Sequence, residues 1–245
     1  MRGHPRRRQA AGAVSGTGPG PDGPGPRGAA VGRGIAIGLM HGLWQPRVLG
    51  AWRVPATGPA ILAVNHSHNI DGPLLLGTSP RPVHFLIKKE AFVGPLGPFL
   101  RSIGQIGVDR HAADRAATTD ALGVLAQGGV LGIFPEGTRG EGDFASLRGG
   151  LSYFALRSGA PVVPVAVLGS AERRSRVVGA LPPLRGRVDV VFGEPFDAGD
   201  GSGRRTRAAL DAATVRIQQR LTEHLAEARA LTGRRSIHPN GKRAQ

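Results

Sequence analysis

Short apolar segments that alternate with amphipathic stretches constrain the fold of this chain more than any other feature. From Pro55 onward, apolar runs bounded by Gly, Pro or polar residues predict six strands, at residues 60–64, 83–87, 104–108, 130–134, 162–168 and 188–192. The intervening and following segments predict five helices, at residues 73–77, 96–102, 112–127, 149–158 and 204–231. This alternation predicts a single α/β domain with a mostly parallel or mixed sheet covered by helices.

The two ends of the chain depart from this pattern. Residues 1–33 are dense in Gly, Pro and Arg and are predicted to be disordered, as is the basic tail of residues 233–245. Residues 34–53 are predicted to be a membrane-associating helical segment, whose apolar side chains recur at helical spacing until Pro46 ends the helix. Packing of this helix on the domain is the alternative. The α/β domain then covers residues 54–232.

Charge narrows the choice of partner. The chain carries 32 Lys and Arg against 17 Asp and Glu, a formal net charge of +15. Its basic ends indicate an anionic membrane surface, or else solvated tails without a specific partner. Aromatic residues make up 4% of the chain and no nucleic-acid-binding fold is recognisable, so nucleic acid is not the predicted partner. Because no apolar run reaches the roughly 18 to 20 residues that span a bilayer, we expect a peripheral protein on the cytoplasmic face of the cell membrane.

A His and an Asp five residues apart follow the first predicted strand, in the run Asn65-His66-Ser67-His68-Asn69-Ile70-Asp71. A strand end can hold an imidazole and a carboxylate in a fixed arrangement. Asp71 would then fix the tautomer of His66 and stabilise the imidazolium that forms when His66 takes a proton from a hydroxyl. The chain has no cysteine and no Gly-x-Ser-x-Gly elbow, which argues against a covalent acyl-enzyme.

The same run allows a metal site as an alternative, because His66, His68 and Asp71 are common zinc ligand types. No fourth ligand and no second ligand cluster are evident in the sequence. We therefore expect no metal and interpret His68 as a residue of the pocket wall.

Three further motifs follow along the chain: Gly104-Gln-Ile-Gly-Val-Asp109-Arg110, Phe134-Pro135-Glu136-Gly137-Thr138-Arg139 and Val162-Val163-Pro164-Val165. Together with the His66-x4-Asp71 motif, they resemble in order and rough spacing the four motifs of the glycerophospholipid acyltransferases. The members that look most similar are bacterial 1-acylglycerol-3-phosphate acyltransferases. The resemblance covers roughly residues 54–195.

This resemblance implies transfer of a fatty acyl group from acyl-CoA or acyl-carrier protein to the sn-2 hydroxyl of 1-acylglycerol 3-phosphate, giving phosphatidic acid. It implies His66 as the general base, Asp71 as its orienting partner, and no cofactor besides the acyl thioester co-substrate. Another lysophospholipid, glycerol 3-phosphate or a lipid amine remains an alternative acceptor. A non-catalytic basic protein that binds membranes or nucleic acid is the alternative of a different class.

Arginines offer a planar fork of donors that matches phosphate oxygens, and Arg110 and Arg139 each follow a predicted strand. Both are therefore expected to bind the acceptor phosphate, with Asp109 holding Arg110. The resemblance implies that Glu136, Gly137 and Thr138 line the same pocket.

Four further candidates are Asn65, Lys88, Lys89 and Pro164. The two lysines follow a predicted strand and would add positive charge for the phosphates of the acceptor or the donor, unless they are simply solvated. Pro164 removes a backbone donor, so its core strand is expected at a sheet edge or a bulge, and the resemblance implies a place near the acyl or donor pocket. The stretch Leu147-Arg148-Gly149-Gly150 departs from the Phe-Lys-x-Gly often found in the family, but it keeps the positive charge.

Overall fold

Seven strands form one sheet, with helices on both of its faces. The structure is a computed structural model that describes residues 26–109, 112, 114–137, 142–170, 183–201 and 206–234. The elements in chain order are α1 (Pro26–Leu43), β1 (Gln45–Leu49), β2 (Ala60–Val64), α2 (Asp71–Thr78), β3 (Val83–Lys88), α3 (Leu96–Ser102), β4 (Ile106–Val108), α4 (Arg115–Ala126), β5 (Val130–Ile133), α5 (Gly150–Ser158), β6 (Val162–Leu168), β7 (Arg187–Phe192) and α6 (Arg207–Thr232). Two 3-10 turns lie at Ala51–Arg53 and Lys89–Ala91.

The strand order β1-β7-β6-β2-β5-β3-β4 brings the carboxyl ends of five strands to one edge of the sheet. Every neighbouring pair is parallel except β6 and β7, so β2 to β6 run in one direction and β1 and β7 run in the other. Ligands of open α/β sheets bind at such an edge. The predicted α/β class with a mixed, mostly parallel sheet is confirmed.

Alternate side chains of β2 pack into two different hydrophobic cores. Ile61 and Ala63 belong to the cluster formed with α4, α5 and α6, whereas Leu62 and Val64 belong to the cluster formed with α1 and α2. All five residues of β2 are buried. The segment that follows β2 therefore leaves a strand that is held on both faces, which limits its freedom to move.

Helix α1 begins earlier than the sequence predicts, at Pro26 rather than residue 34, and residues 26–33 are therefore not disordered. Small residues explain the difference: a side chain at Gly28 would collide with the carbonyl of Ser102, and one at Gly77 would collide with the backbone of Ala36. Close packing thus outweighs the low helix propensity of glycine. Residues 1–25 and 235–245 lie outside the described residues.

Residues 45–53, predicted to continue the membrane-associating segment, form β1 and a 3-10 turn instead. Strand β1 pairs with β7, with Pro46 opposite Val188. Because β1 is the edge strand of the sheet, a missing backbone donor at Pro46 is tolerated there. These residues belong to the α/β domain.

Helix α1 packs on the domain through one face and exposes the other face to solvent. Ala36 and Met40 are buried, whereas Val31, Ile35 and Leu39 are 49–61% exposed and lie along one stripe of the helix. Within the described ranges, no helix is long and apolar enough to cross a bilayer.

Pro164 was expected at a sheet edge or a bulge, and the edge position is wrong. Strand β6 lies between β7 and β2, and Pro164 is opposite Ala63. On the β7 side the pairing changes register by one residue, from Val165 opposite Phe192 to Val162 opposite Phe196. This irregularity accommodates a proline inside the sheet.

Candidate active site

The His66–Asp71 pair forms as the sequence predicts. His66 Nδ1 lies 3.1 Å from Asp71 Oδ2, and the side chain of Asp71 is fully buried while that of His66 is 16% exposed. Asp71 is the first residue of α2, where the positive end of the helix favours a carboxylate. An imidazole held at Nδ1 presents Nε2 as its free nitrogen.

Asp71 also shapes the loop that carries His66. Its Oδ2 accepts hydrogen bonds from the backbone N–H groups of Ser67 at 2.9 Å and His68 at 2.7 Å. Its Oδ1 is buried and has no hydrogen-bond partner among the described residues. One carboxylate oxygen therefore sets both the loop conformation and the orientation of the histidine ring.

Asn65 connects this loop to the sheet. Its side-chain amide donates to the carbonyl of Val167 at 3.0 Å and accepts from the N–H of the same residue at 2.7 Å. The side chain thus continues the β2–β6 pairing one residue beyond the end of β2, and Asn65 is 3% exposed. The backbone that leads into His66, the next residue, is therefore held in place.

The imidazole of His66 rests on an aromatic ring. Phe134 stacks on it with centroids 4.1 Å apart and planes at 26°, and Phe85 stacks on Phe134 from behind. Phe134 also lines a cleft of about 320 Å³ between α4 and α5. Most of the cleft wall is apolar, and its charged residues are Asp109, Asp114 and Arg148. The dyad therefore adjoins a cavity of the size at which small-ligand sites begin.

Glu136 braces the site rather than simply lining it. Its Oε1 accepts a hydrogen bond from the N–H of Phe144 at 2.9 Å. Burial raises the pKa of the Glu136 carboxyl, while backbone hydrogen bonds from Phe144 and His66 oppose that rise. Phe144 is fully buried with φ of 61°, an uncommon conformation for a residue with a side chain, and the Gln218 side chain holds its carbonyl. The carboxylate stabilises this strained turn.

Gly137 lines the cleft, and its position favours glycine over any residue with a side chain. Its φ is 72°, and a Cβ there would collide with the side chain of Arg148. The N–H of Arg148 donates to the carbonyl of Pro135 at 2.8 Å, which ties the chain before α5 to the Phe-Pro-Glu-Gly segment. Arg148 thus brings a cation into the cleft, a contribution that the retained charge of its motif indicated.

The structure describes only some of the remaining candidate residues. Asp109 lines the cleft, whereas Arg110, Thr138 and Arg139 lie outside the described residues. Lys88 ends β3 in an exposed position.

Lys89 pairs with Asp114 at 2.7 Å. Sequence reasoning missed Asp114, although an Asp directly before a predicted helix is a recognisable N-cap signal. The ring of Phe134 was also missed.

Pro164 does not line the cleft and instead lines a separate cavity of about 170 Å³ with His224 and Arg53. Its place near the acyl or donor pocket stays a prediction. Its strand is buried throughout, as a core strand should be. As for His68, its imidazole lies in the His66 loop, and in the described part of the chain no three His, Asp or Glu side chains are grouped to hold a metal ion.

Comparison with known proteins assigns the family. The family described as Acyltransferase matches residues 45–168. A 1-acyl-sn-glycerol-3-phosphate acyltransferase of Bacillus subtilis (strain 168) is 29% identical over 191 residues, which are 77% of this chain and 91% of that protein. A protein of the same description from Borreliella burgdorferi is 31% identical over 48% of this chain and 49% of its own length.

A solved structure supports the fold separately. The crystal structure of a 1-acyl-sn-glycerophosphate acyltransferase from Thermotoga maritima is similar with a TM-score of 0.58 and 24% identity, over 82% of this chain and 78% of that one. The match over residues 45–168 includes all four motifs. The chain belongs to the acyltransferase family.

Proposed function

We propose that this protein transfers a fatty acyl group from an acyl thioester to the sn-2 hydroxyl of 1-acylglycerol 3-phosphate, and so makes phosphatidic acid. The observation that carries the proposal is the His66–Asp71 pair beside the cleft. The activity named for the Bacillus subtilis relative supports the choice of acceptor. Acyl-CoA and acyl-carrier protein both fit as donors.

In the proposed reaction, Nε2 of His66 takes the proton of the acceptor hydroxyl as its oxygen attacks the thioester carbonyl. The C–S bond of the resulting tetrahedral intermediate breaks, and the thiolate leaves with the proton that the imidazolium returns. Asp71 stabilises the imidazolium between these steps. The enzyme forms no covalent intermediate and needs no cofactor.

The acceptor phosphate is proposed to bind beside Asp109 and Gly137, which line the cleft and directly precede Arg110 and Thr138-Arg139 in the sequence. Two features support this assignment: Gly137 lets the backbone approach a ligand closely, and Arg148 adds a cation to the same wall. Glu136 acts here as a brace for the pocket, because its carboxylate is engaged by backbone donors.

The exposed stripe of α1 supports attachment to an anionic membrane. Val31, Ile35 and Leu39 would insert among the lipids, while the basic residues of the two chain ends contact the headgroups. Replacement of Ile35 and Leu39 with Asp should abolish co-sedimentation with vesicles that contain phosphatidylglycerol. Binding that is unchanged by this replacement would refute the role of α1.

The central test measures thiol release by purified protein from palmitoyl-CoA or oleoyl-CoA, with 1-acylglycerol 3-phosphate present or absent. We expect release that depends on the acceptor and that falls at least about a hundredfold in His66→Ala. Activity with acyl-carrier protein alone would keep the chemistry and identify the donor. If His66→Ala retains activity within threefold of wild type, the dyad assignment is wrong.

A further inference from the structure

One carboxylate ties together three elements beside the cleft. Asp114, whose side chain is 6% exposed, caps α4 by accepting a hydrogen bond at Oδ1 from the N–H of Ala117 at 3.0 Å. Its Oδ2 accepts from the N–H of Asp109 at 3.1 Å and pairs with Lys89 Nζ at 2.7 Å. Asp114 therefore joins the start of α4, the residue after β4 and the turn that follows β3.

The bond between Asp114 and Asp109 closes a short loop. Residues 109–114 connect β4 to α4, and Arg110 belongs to this loop by its position in the sequence. Asp114 fixes the point at which the chain enters the loop.

The Asp114 carboxylate also adds negative charge to the wall of the cleft. Asp109 and Asp114 both line the cleft in which the acceptor phosphate is proposed to bind. The hydrogen bond from Lys89, followed by those from the Ala117 and Asp109 backbones, lowers the pKa of Asp114 to about 2, so this group is charged at neutral pH. Two carboxylates on one wall would repel a phosphate unless a cation compensates for them.

Arg148 is one cation of this wall, and Lys89 is placed to compensate the charge of Asp114 directly. Its ammonium bonds directly to Asp114, and this hydrogen bond together with the charges of Asp114 and Asp109 raises the pKa of Lys89. Its side chain is 57% exposed, but its charged end is committed to the carboxylate. Lys89 was a candidate phosphate ligand by sequence, whereas its contact in the structure is with an acid of the cleft wall.

We propose that Lys89 is the counterion of Asp114, and that this pair sets acceptor affinity by cancelling negative charge on the cleft wall. Lys89 is then a positioning residue and not a phosphate ligand. The inference rests on the proposed function, because it assumes an acceptor with a phosphate. It predicts a rescue that direct phosphate binding by Lys89 does not.

The test compares Lys89→Gln, Asp114→Asn and the double variant by acceptor KM, donor KM, kcat and the Kd for glycerol 3-phosphate. Lys89→Gln should raise the acceptor KM and the glycerol 3-phosphate Kd about tenfold with kcat and donor KM unchanged, since it leaves Asp114 charged and uncompensated. Asp114→Asn keeps a helix-capping side chain and removes the charge. The double variant should therefore return both values to within about threefold of wild type.

Arg115→Gln is the matched control, because it removes one exposed positive charge from the residue next to Asp114. Its acceptor KM should stay within about twofold of wild type. If Asp114→Asn does not fold, Asp114→Ser provides the same neutral cap.

A double variant as weak as Lys89→Gln would mean that Lys89 contacts the phosphate itself, and an unchanged KM in Lys89→Gln would equally refute the counterion role. A failure of the proposed function itself would give a different result. A wild-type protein without transferase activity, whose Kd for glycerol 3-phosphate nevertheless follows the rescue pattern, would overturn the proposed reaction and retain the charge pairing.

Discussion

Two substitutions at Asp71 separate its role in the chemistry from its role in the fold. Asp71→Asn removes the charge that would stabilise the imidazolium, but its amide oxygen can still accept from the N–H groups of Ser67 and His68. Asp71→Ala removes both acceptors. We expect both variants to lose about 10²–10⁴-fold in kcat, the usual contribution of a general base and its partner, while their stabilities differ.

The structure gives the size of that difference. The backbone donors at 2.9 and 2.7 Å keep a neutral acceptor in Asp71→Asn and lose it in Asp71→Ala. Each neutral hydrogen bond is worth about 0.5–1.5 kcal/mol, so the two together contribute about 2 kcal/mol. At about 2–4 °C per kcal/mol for a domain of this size, Asp71→Ala should melt about 4–8 °C below Asp71→Asn.

The assay pairs thiol release with a thermal melt of each variant. His66→Ala serves as the control, because it removes the base without removing the acceptor of the loop donors. Equal melting temperatures for Asp71→Asn and Asp71→Ala would refute the structural role of Oδ2. Near-wild-type kcat in Asp71→Asn would refute its catalytic role.

Further variants probe two supports of the site, Asn65 and Gly137, and one buried histidine outside it. Asn65→Ala should lower the free energy of unfolding by about 2–4 kcal/mol in urea denaturation, because two buried bonds to Val167 are lost; a loss below about 0.5 kcal/mol would contradict this. Gly137→Ala should lower the free energy of unfolding by at least about 1 kcal/mol and raise the acceptor KM. Adding Arg148→Ala should relieve the collision with the new methyl group but not the backbone strain. Burial lowers the pKa of His224, so protonation favours the unfolded chain and stability should fall as pH drops below about 6.5. His224→Gln should reduce the fall in melting temperature between about pH 7.5 and 5.0, although burial also lowers the pKa of His84 and so keeps part of the slope. An unchanged slope would count against this account.

Much of the fold follows from local pattern. The strands at 60–64 and 162–168 and the helix at 96–102 have the predicted bounds, because a Pro directly precedes each segment and a polar residue or Gly ends or follows it. Strand β1 was not predicted, since Pro46 suggested a helix end and nothing local indicates pairing with a strand about 140 residues away. The early start of α1 likewise depends on tertiary packing of glycines.

The site divides in a similar way. The His66–Asp71 contact spans five residues and follows from sequence, because a strand end and a helix start leave few arrangements for the residues between them. The Asp114–Lys89 pair joins segments that the adjacency of β3 and β4 in the sheet brings together, whereas the Glu136–Phe144 brace depends on a turn with a positive φ at Phe144. The sequence therefore singles out Lys89 and Glu136 but does not reveal that they contact Asp114 and Phe144.

The seven residues from Asn65 to Asp71 hold the histidine, its carboxylate partner, the backbone donors that orient that carboxylate and the side chain that docks on β6. The walls of the cleft come from other segments: the ends of β3, β4 and β5, the loops that follow them, and α4 and α5. In the proposed reaction, reactivity and selectivity therefore reside in separate parts of the chain. Substitutions along the cleft wall are then expected to alter which alcohol or acyl chain is accepted while the His66–Asp71 pair stays intact, so a new substrate preference can evolve without rebuilding the chemistry.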